Sequence, residues 1–187
     1  MKPTTTIIID TREQCPLRFE NLPAERGSLD VADYSVRGLE HRIGCERKSL
    51  PDLVMCCGSE RERFVRALER LQGRRFRCVV VESTLAEIEA GGWRGRIVPQ
   101  VVLGSIASWS VRYGLPFFFC GDPDATARFT ERWLFQACRC IVAETEAAVG
   151  LASSLTANEW EPCGARAAVA AAAEAHPEDF FCRVAPG

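Results

Sequence analysis

Lysine is nearly missing from this chain: 21 of its 23 basic residues are arginine, and the only lysines are Lys2, at the N-terminus, and Lys48. Histidine is as scarce, with His41 and His176 alone. Cysteine is plentiful, ten in all, but no pair has C-x-x-C spacing; the tightest pairs are Cys56-Cys57 and Cys138/Cys140, and neither histidine lies near either pair. That excludes zinc knuckles and leaves the thiols to be reduced and mostly buried, as small hydrophobes. No apolar run reaches the roughly 18 residues that a membrane span requires, and the one before Asp10 is too short for a signal peptide. A cytoplasmic protein is expected. There is no internal repeat, and a net charge of −2 does not by itself mark a nucleic-acid binder.

The charge that is present is unevenly spread. Between Arg37 and Arg77 eleven basic residues accompany six acids, whereas Glu144 to Gly187 holds seven acids and two arginines. Phosphate attraction would therefore be local to the first segment. Lys48 lies inside it, in Glu46-Arg47-Lys48, with Asp33 upstream and Asp52 downstream. Arginine stays protonated, while lysine is a compact donor whose pKa can be shifted. A lone internal lysine between acids therefore stands where nuclease chemistry would want one. The hydrophobic fraction of 47% over 187 residues suits one domain with an appendage.

Alternating strand and helix patterns predict an α/β fold with a central mixed sheet flanked by helices. Thr6-Ile7-Ile8-Ile9 reads as a buried strand that delivers Asp10 at its C-terminal end. Residues 14–27, with Pro16, Pro23 and Gly27, read as loop. Tyr34-Ser35-Val36 and Ile43-Gly44-Cys45-Glu46 read as a hairpin through Gly38, and period-two alternation puts Glu46 and Lys48 on one face. Ser49 is expected to cap a short helix that stops at Gly58. Ser59-x-x-Glu62 is expected to form a second capping box, opening a helix to Gly73. On that helix Phe64, Leu68 and Leu71 make an apolar stripe, and Arg63, Arg66, Arg70 and Arg74 a basic row. Residues 76–82 and 116–120 read as buried strands, 85–90, 99–113 and 125–149 as helices, and 91–96 as a Gly/Arg-rich loop. Beyond Gly150 the chain turns acidic and alanine-rich, with a helical stretch over 165–175.

Asp33, Glu46 and Lys48 fit a D-x(n)-E-x-K arrangement. Two carboxylates suit a hard Mg²⁺ or Mn²⁺ ion that keeps some of its waters. Such an ion acidifies a water and offsets charge on a scissile phosphate, while the lysine orients the nucleophile or stabilises the transition state. A solvated hairpin with surface charges would show the same three residues. Asp52 has two roles open to it, site acid or partner of the Ser49 cap. Arg12 and Glu13 are open between the site and a structural ion pair. The arginine row suits phosphate contacts or a solvated face interleaved with Glu60, Glu62 and Glu69. Trp93, Arg94 and Arg96 suit DNA contacts by stacking and charge or an ordinary turn. Tyr34 reads as packing.

Taken together, Ile7-Ile8-Ile9-Asp10-Thr11-Arg12-Glu13, Ala32-Asp33-Tyr34 and Glu46-Arg47-Lys48-Ser49-Leu50-Pro51-Asp52-Leu53 resemble the XPF-type structure-specific endonuclease domain of the restriction-endonuclease-like superfamily. The resemblance covers about residues 5–145 and is strongest to compact phage and prophage forms. It implies a nuclease domain over 1–150, followed by a tail, 151–187, that is not a full helix-hairpin-helix module. It implies metal ligation by Asp33 and Glu46, with Asp10 assisting directly or through water. Lys48 would be catalytic, and Arg47 would contact phosphate or brace the site. The expected activity is Mg²⁺- or Mn²⁺-dependent hydrolysis of branched, flap or fork DNA in recombination, repair or phage DNA processing, in the host cytoplasm if phage-encoded. DNA is the expected partner, and a homodimer is compatible. Two departures stand out: Ala32 replaces the family's glycine, and the tandem DNA-binding hairpins are missing. A catalytically silent DNA-binding or partner subunit is the alternative. Silent copies are expected to lose the acids or the lysine, and this chain keeps Asp10, Asp33, Glu46 and Lys48.

Overall fold

The computed structural model describes residues 5–154. Six strands, β1 (Ile7–Asp10), β2 (Ala24–Gly27), β3 (Tyr34–Val36), β4 (Ile43–Ser49), β5 (Phe76–Glu82) and β6 (Phe117–Phe119), form one sheet in the order β2-β1-β3-β4-β5-β6. Five helices accompany them: α1 (Leu50–Cys56), α2 (Arg61–Leu71), α3 (Leu85–Ala90), α4 (Pro99–Tyr113) and α5 (Pro123–Ser154). The sheet is mixed. β3 runs antiparallel to both β1 and β4, while β4, β5 and β6 are mutually parallel.

The apolar run of β5 explains the layering. Cys78, Val79, Val80 and Val81 are all fully buried, which requires cover on both faces. Val79 and Val81 join Leu53, Phe64, Leu68, Ile88 and Trp109 under α1–α4. Cys78 and Val80 join Ile7, Ile9, Tyr34, Ile43, Cys45, Leu134 and Ala137 under α5. Tyr34 belongs to packing, as expected: its hydroxyl accepts the Leu17 N–H at 2.9 Å, and its ring meets Phe19 edge-on. The eight described cysteines are free thiols, six of them buried at least in part: Cys45, Cys56, Cys57 and Cys78 fully, Cys120 and Cys138 partly.

Three local expectations fail for identifiable reasons. The segment expected to be loop over 14–27 contains β2, which pairs in parallel with β1. Ala-Glu-Arg-Gly has no strand propensity, and β2 exists through backbone pairing to an adjacent buried strand. The Ser59 capping box does not form. Glu60 occupies the cap position of α2 without a side-chain bond, because the Glu60 and Arg61 N–H groups are already turned back onto the Met55 and Gly58 carbonyls. The last helix starts at Pro123 and runs to Ser154, beyond the expected 149. The Ser49 cap forms as expected, accepting the Asp52 N–H at 3.3 Å. Residues up to Ala143 make one compact unit, and Glu144 onward belongs to a second. The expected 165–175 helix and most of the 151–187 tail lie outside the described residues.

Candidate active site

β1, β4, β5 and β6 point the same way, so their carboxyl ends bring Asp10, Glu46 to Ser49 and Glu82 to one edge of the sheet. A cleft of about 640 Å³ opens there. Asp10, Asp33, Glu46, Lys48 and Asp52 line it, with Arg12, Arg63 and Arg70 among its walls.

At its floor Asp33, Glu46 and Lys48 converge. Lys48 Nζ donates to Glu46 Oε1 at 2.5 Å and to the Arg47 carbonyl at 3.0 Å, with its ammonium 5.3 Å from the centre of the Phe64 ring. Period-two alternation along β4 puts both side chains on the α2 side, as the sequence pattern requires. Asp33 sits in the turn before β3, where Ala32 takes a left-handed conformation (φ 72°). Glycine would adopt that conformation without the cost that alanine bears. Asp33 Oδ2 accepts the Arg47 N–H at 2.7 Å.

Burial first, and the charge of Glu46 second, push the Asp33 carboxyl up to about 7, against the pull of Lys48 and of the Arg47 N–H. Burial acts to lower the Lys48 pKa, but Glu46 and Asp33 outweigh it and hold the ammonium above its ordinary value. Two neighbouring carboxyl groups that share one ammonium form an under-neutralised set of hard oxygens, a donor set that suits Mg²⁺ or Mn²⁺ completed by water. Among the described residues no cluster of three or more His, Cys, Asp or Glu side chains is close enough to share an ion. The fit therefore rests on Asp33 and Glu46.

Asp10, expected to assist a metal directly or through water, lines the cleft with both carboxylate oxygens hydrogen-bonded. Its carboxylate is almost fully buried. One oxygen accepts from Arg12 N at 2.7 Å and Arg12 Nε at 2.8 Å, the other from Arg12 Nη2 at 3.0 Å and Leu29 N at 2.9 Å. Burial works to raise its pKa, and these bonds hold it below the ordinary value instead. Arg12 nonetheless keeps 68% of its side chain exposed at the cleft. Asp52 Oδ2 accepts from Ser49 Oγ at 2.7 Å, so it completes the helix cap while lining the same cleft.

Arg47 points to the opposite face of β4. Its guanidinium grips Glu82 through two bonds, 2.7 and 2.9 Å, and reaches Glu13 at 3.3 Å. Of the two roles open to it these contacts suit bracing, and its backbone N–H is the group that binds Asp33. Glu82 is the residue that sequence reasoning passes over. The available signal is a carboxylate that directly follows a run of buried apolar residues, where an unpaired charge would be costly.

The arginine row divides. Arg63 and Arg66 are exposed and pair with Glu60 at 3.0 Å and Glu62 at 3.9 Å. Arg70 is exposed and lines the cleft. Arg74, past the end of α2, is drawn into a salt bridge with Asp30 and is largely buried. Arg94 and Arg96 are exposed on their loop, outside the cleft lining. Trp93 packs against the core and donates to the Ile97 carbonyl at 2.7 Å, which anchors that loop.

Comparison with known proteins places this architecture. No curated protein matches the chain. Among solved structures it is similar to XPF from Aeropyrum pernix, with 19% identity and a TM-score of 0.57 over 80% of this chain and 73% of that one. It is also similar to XPF from Aeropyrum pernix in complex with DNA, with 19% identity and a TM-score of 0.57 over 72% and 66%. The shared fold is the restriction-endonuclease-like one, a mixed sheet with helices on its flanks. Residues 9–132 match the ERCC4 domain, a span that contains Asp10, Asp33, the Glu46-Arg47-Lys48 triplet and Glu82. An XPF-type nuclease domain carries this site, and the chain belongs to the ERCC4 domain family.

Proposed function

We propose that this protein is a divalent-metal-dependent DNA endonuclease that cuts branched, flap or fork DNA in recombination, repair or phage DNA processing. The observation that carries the reading is the convergence of Asp33, Glu46 and Lys48 on the floor of one cleft, in a chain of the ERCC4 domain family. The relative solved with DNA supports DNA as the partner.

Asp33 and Glu46 hold the Mg²⁺ or Mn²⁺ ion. When bound, that ion supplies an acidified water and offsets phosphate charge. Lys48, held protonated by its two acids, acts as an electrostatic group and not as a base, stabilising charge that develops on the scissile phosphate. The Arg47–Glu82 clamp keeps the Arg47 N–H aimed at Asp33. Arg12, Arg63 and Arg70 receive the flanking phosphates without reading sequence.

The test is cleavage of labelled flap, fork, four-way junction and linear duplex in Mg²⁺ or Mn²⁺ by wild type, Glu46→Ala, Lys48→Ala and Lys48→Arg. Each substitution is expected to cost about 100-fold or more, the scale of losing one transition-state donor. Lys48→Arg fails despite its charge, because a planar guanidinium does not fit between Glu46 and the Arg47 carbonyl above Phe64. The reading is wrong if wild type cuts none of the four DNAs, or if the variants cut as fast as wild type.

A further inference from the structure

A positively charged surface lies away from the cleft, on α5. Arg128, Arg132, Phe135, Gln136 and Arg139 lie at the i, i+4, i+7, i+8 and i+11 positions of one helix face, and the three arginines and Phe135 are exposed. On α2 the arginines are interleaved with glutamates that pair with them. On α5 neither Arg128 nor Arg132 has an ion pair among the described residues. The one acid at the stripe's centre, Glu131, is buried. It is used inward, accepting Asn21 N at 2.7 Å, Asn21 Nδ2 at 2.7 Å and Leu22 N at 2.6 Å. Asp124 and Glu20 are the exposed acids nearest in sequence to the stripe and to its bordering loop.

Two further observations point to a nucleic-acid strand. Phe135 is 39% exposed, and the Arg139 guanidinium lies 6.0 Å from its ring centre. Phe135 borders a hollow of about 290 Å³ with Asn21, Leu22 and Arg132. An aromatic face beside a guanidinium at the mouth of a small hollow is a platform for an unpaired base. The loop that Glu131 fastens to α5 is also the loop that lines the catalytic cleft at Gln14 and Cys15, and it carries exposed Arg18 midway. Cleft and hollow are thus two ends of one short segment. From Arg128 to Arg139 the stripe is about 16 Å long, the rise of roughly five nucleotides in B-form stacking.

From this we infer that the Arg128/Arg132/Phe135/Arg139 face of α5 binds an unpaired DNA strand that continues from the cleft over the 14–22 loop, with its phosphates on the arginines and a base on Phe135. The inference rests on the endonuclease reading for its substrate class, and it adds a strand-holding surface beside the cleft.

The test measures binding without cleavage. Fluorescence anisotropy in EDTA would compare a labelled single-stranded oligonucleotide with a blunt duplex across a salt series, using the full chain. Arg128→Ala/Arg132→Ala/Arg139→Ala is expected to weaken single-strand binding at least about tenfold and to flatten the slope of log affinity against log salt by about 2. The corresponding triple lysine variant should keep the slope, and Phe135→Ala should weaken the single strand and leave the duplex unchanged. Unaltered affinity and slope in a triple alanine variant that melts like wild type overturn the inference. So does a variant that changes sedimentation from dimer to monomer with no loss of DNA affinity, which makes the face a self-association surface. Should the triple alanine chain fail to fold, Phe135→Ala decides, and equal single-strand affinity in that variant overturns the inference. A wild type that binds the single strand but cuts nothing removes the proposed activity and leaves this surface standing.

Discussion

Removing Glu82 tests the site from its least expected side. In Glu82→Ala the Arg47 guanidinium, 15% exposed, loses two hydrogen bonds to a carboxylate that is itself 7% exposed. Breaking one side of a fully buried ion pair costs about 3–5 kcal/mol. Glu13 at 3.3 Å remains as a second partner and the guanidinium keeps some water, so the expected loss is about 2–3 kcal/mol. Arg47→Met should cost a similar amount. The double variant Arg47→Met/Glu82→Ala removes both charges and should lose less than the sum, with a coupling of about 2 kcal/mol. Urea unfolding of the four proteins at neutral pH measures the cycle. The same clamp fixes the amide that binds Asp33, so Mn²⁺ affinity measured by calorimetry should fall in Glu82→Ala as well. Additivity within about 0.5 kcal/mol, together with unchanged Mn²⁺ affinity, would refute the clamp.

Asp33 makes stability depend on pH. Its folded pKa, about 7, lies above its unfolded value, so its contribution is complete below about pH 4 and is lost as pH rises through 7. Asp33→Asn should therefore gain on the order of 1–3 kcal/mol at pH 8 and nothing at pH 4. Mn²⁺ should raise the Tm of wild type at pH 8 and leave that of Asp33→Asn unmoved. For Ala32→Gly, relief of the left-handed alanine is worth about 1–2 kcal/mol. The lost buried methyl costs about 0.8 kcal/mol and the freer unfolded chain about 0.4–1 kcal/mol. The sum is near zero, and a denaturation shift beyond about 1 kcal/mol either way would contradict that balance. Ser49→Ala should destabilise by about 1 kcal/mol through loss of the α1 cap, read from the same urea curves.

The strands that carry long apolar runs are legible in the amino-acid sequence, because burial on both faces leaves no other reading for Ile7-Ile8-Ile9 or Cys78-Val79-Val80-Val81. The floor of the site is legible too, since a spacing of two along a strand is enough to bring Glu46 and Lys48 together. What escapes depends on distance along the chain. Glu82 meets Arg47 across 35 residues and Arg74 meets Asp30 across 44, and no local pattern encodes such pairs. β2 escapes because its strand character is imposed by β1. Asp10 reads as a site acid because it ends a strand, and its pairing with Arg12, two residues on, is a detail that the strand pattern does not show.

Lys48 has a consequence outside its proposed role in cleavage. An amine-selective reagent finds three amines in the whole chain: the N-terminus, Lys2 and Lys48. The third is 16% exposed, protonated and hydrogen-bonded to Glu46, so it should label slowly. Any event that draws Glu46 away releases it. The modification rate of a single peptide, followed by mass spectrometry on the unaltered protein, therefore reports the condition of the cleft floor, and the arginine-rich surface contributes no background.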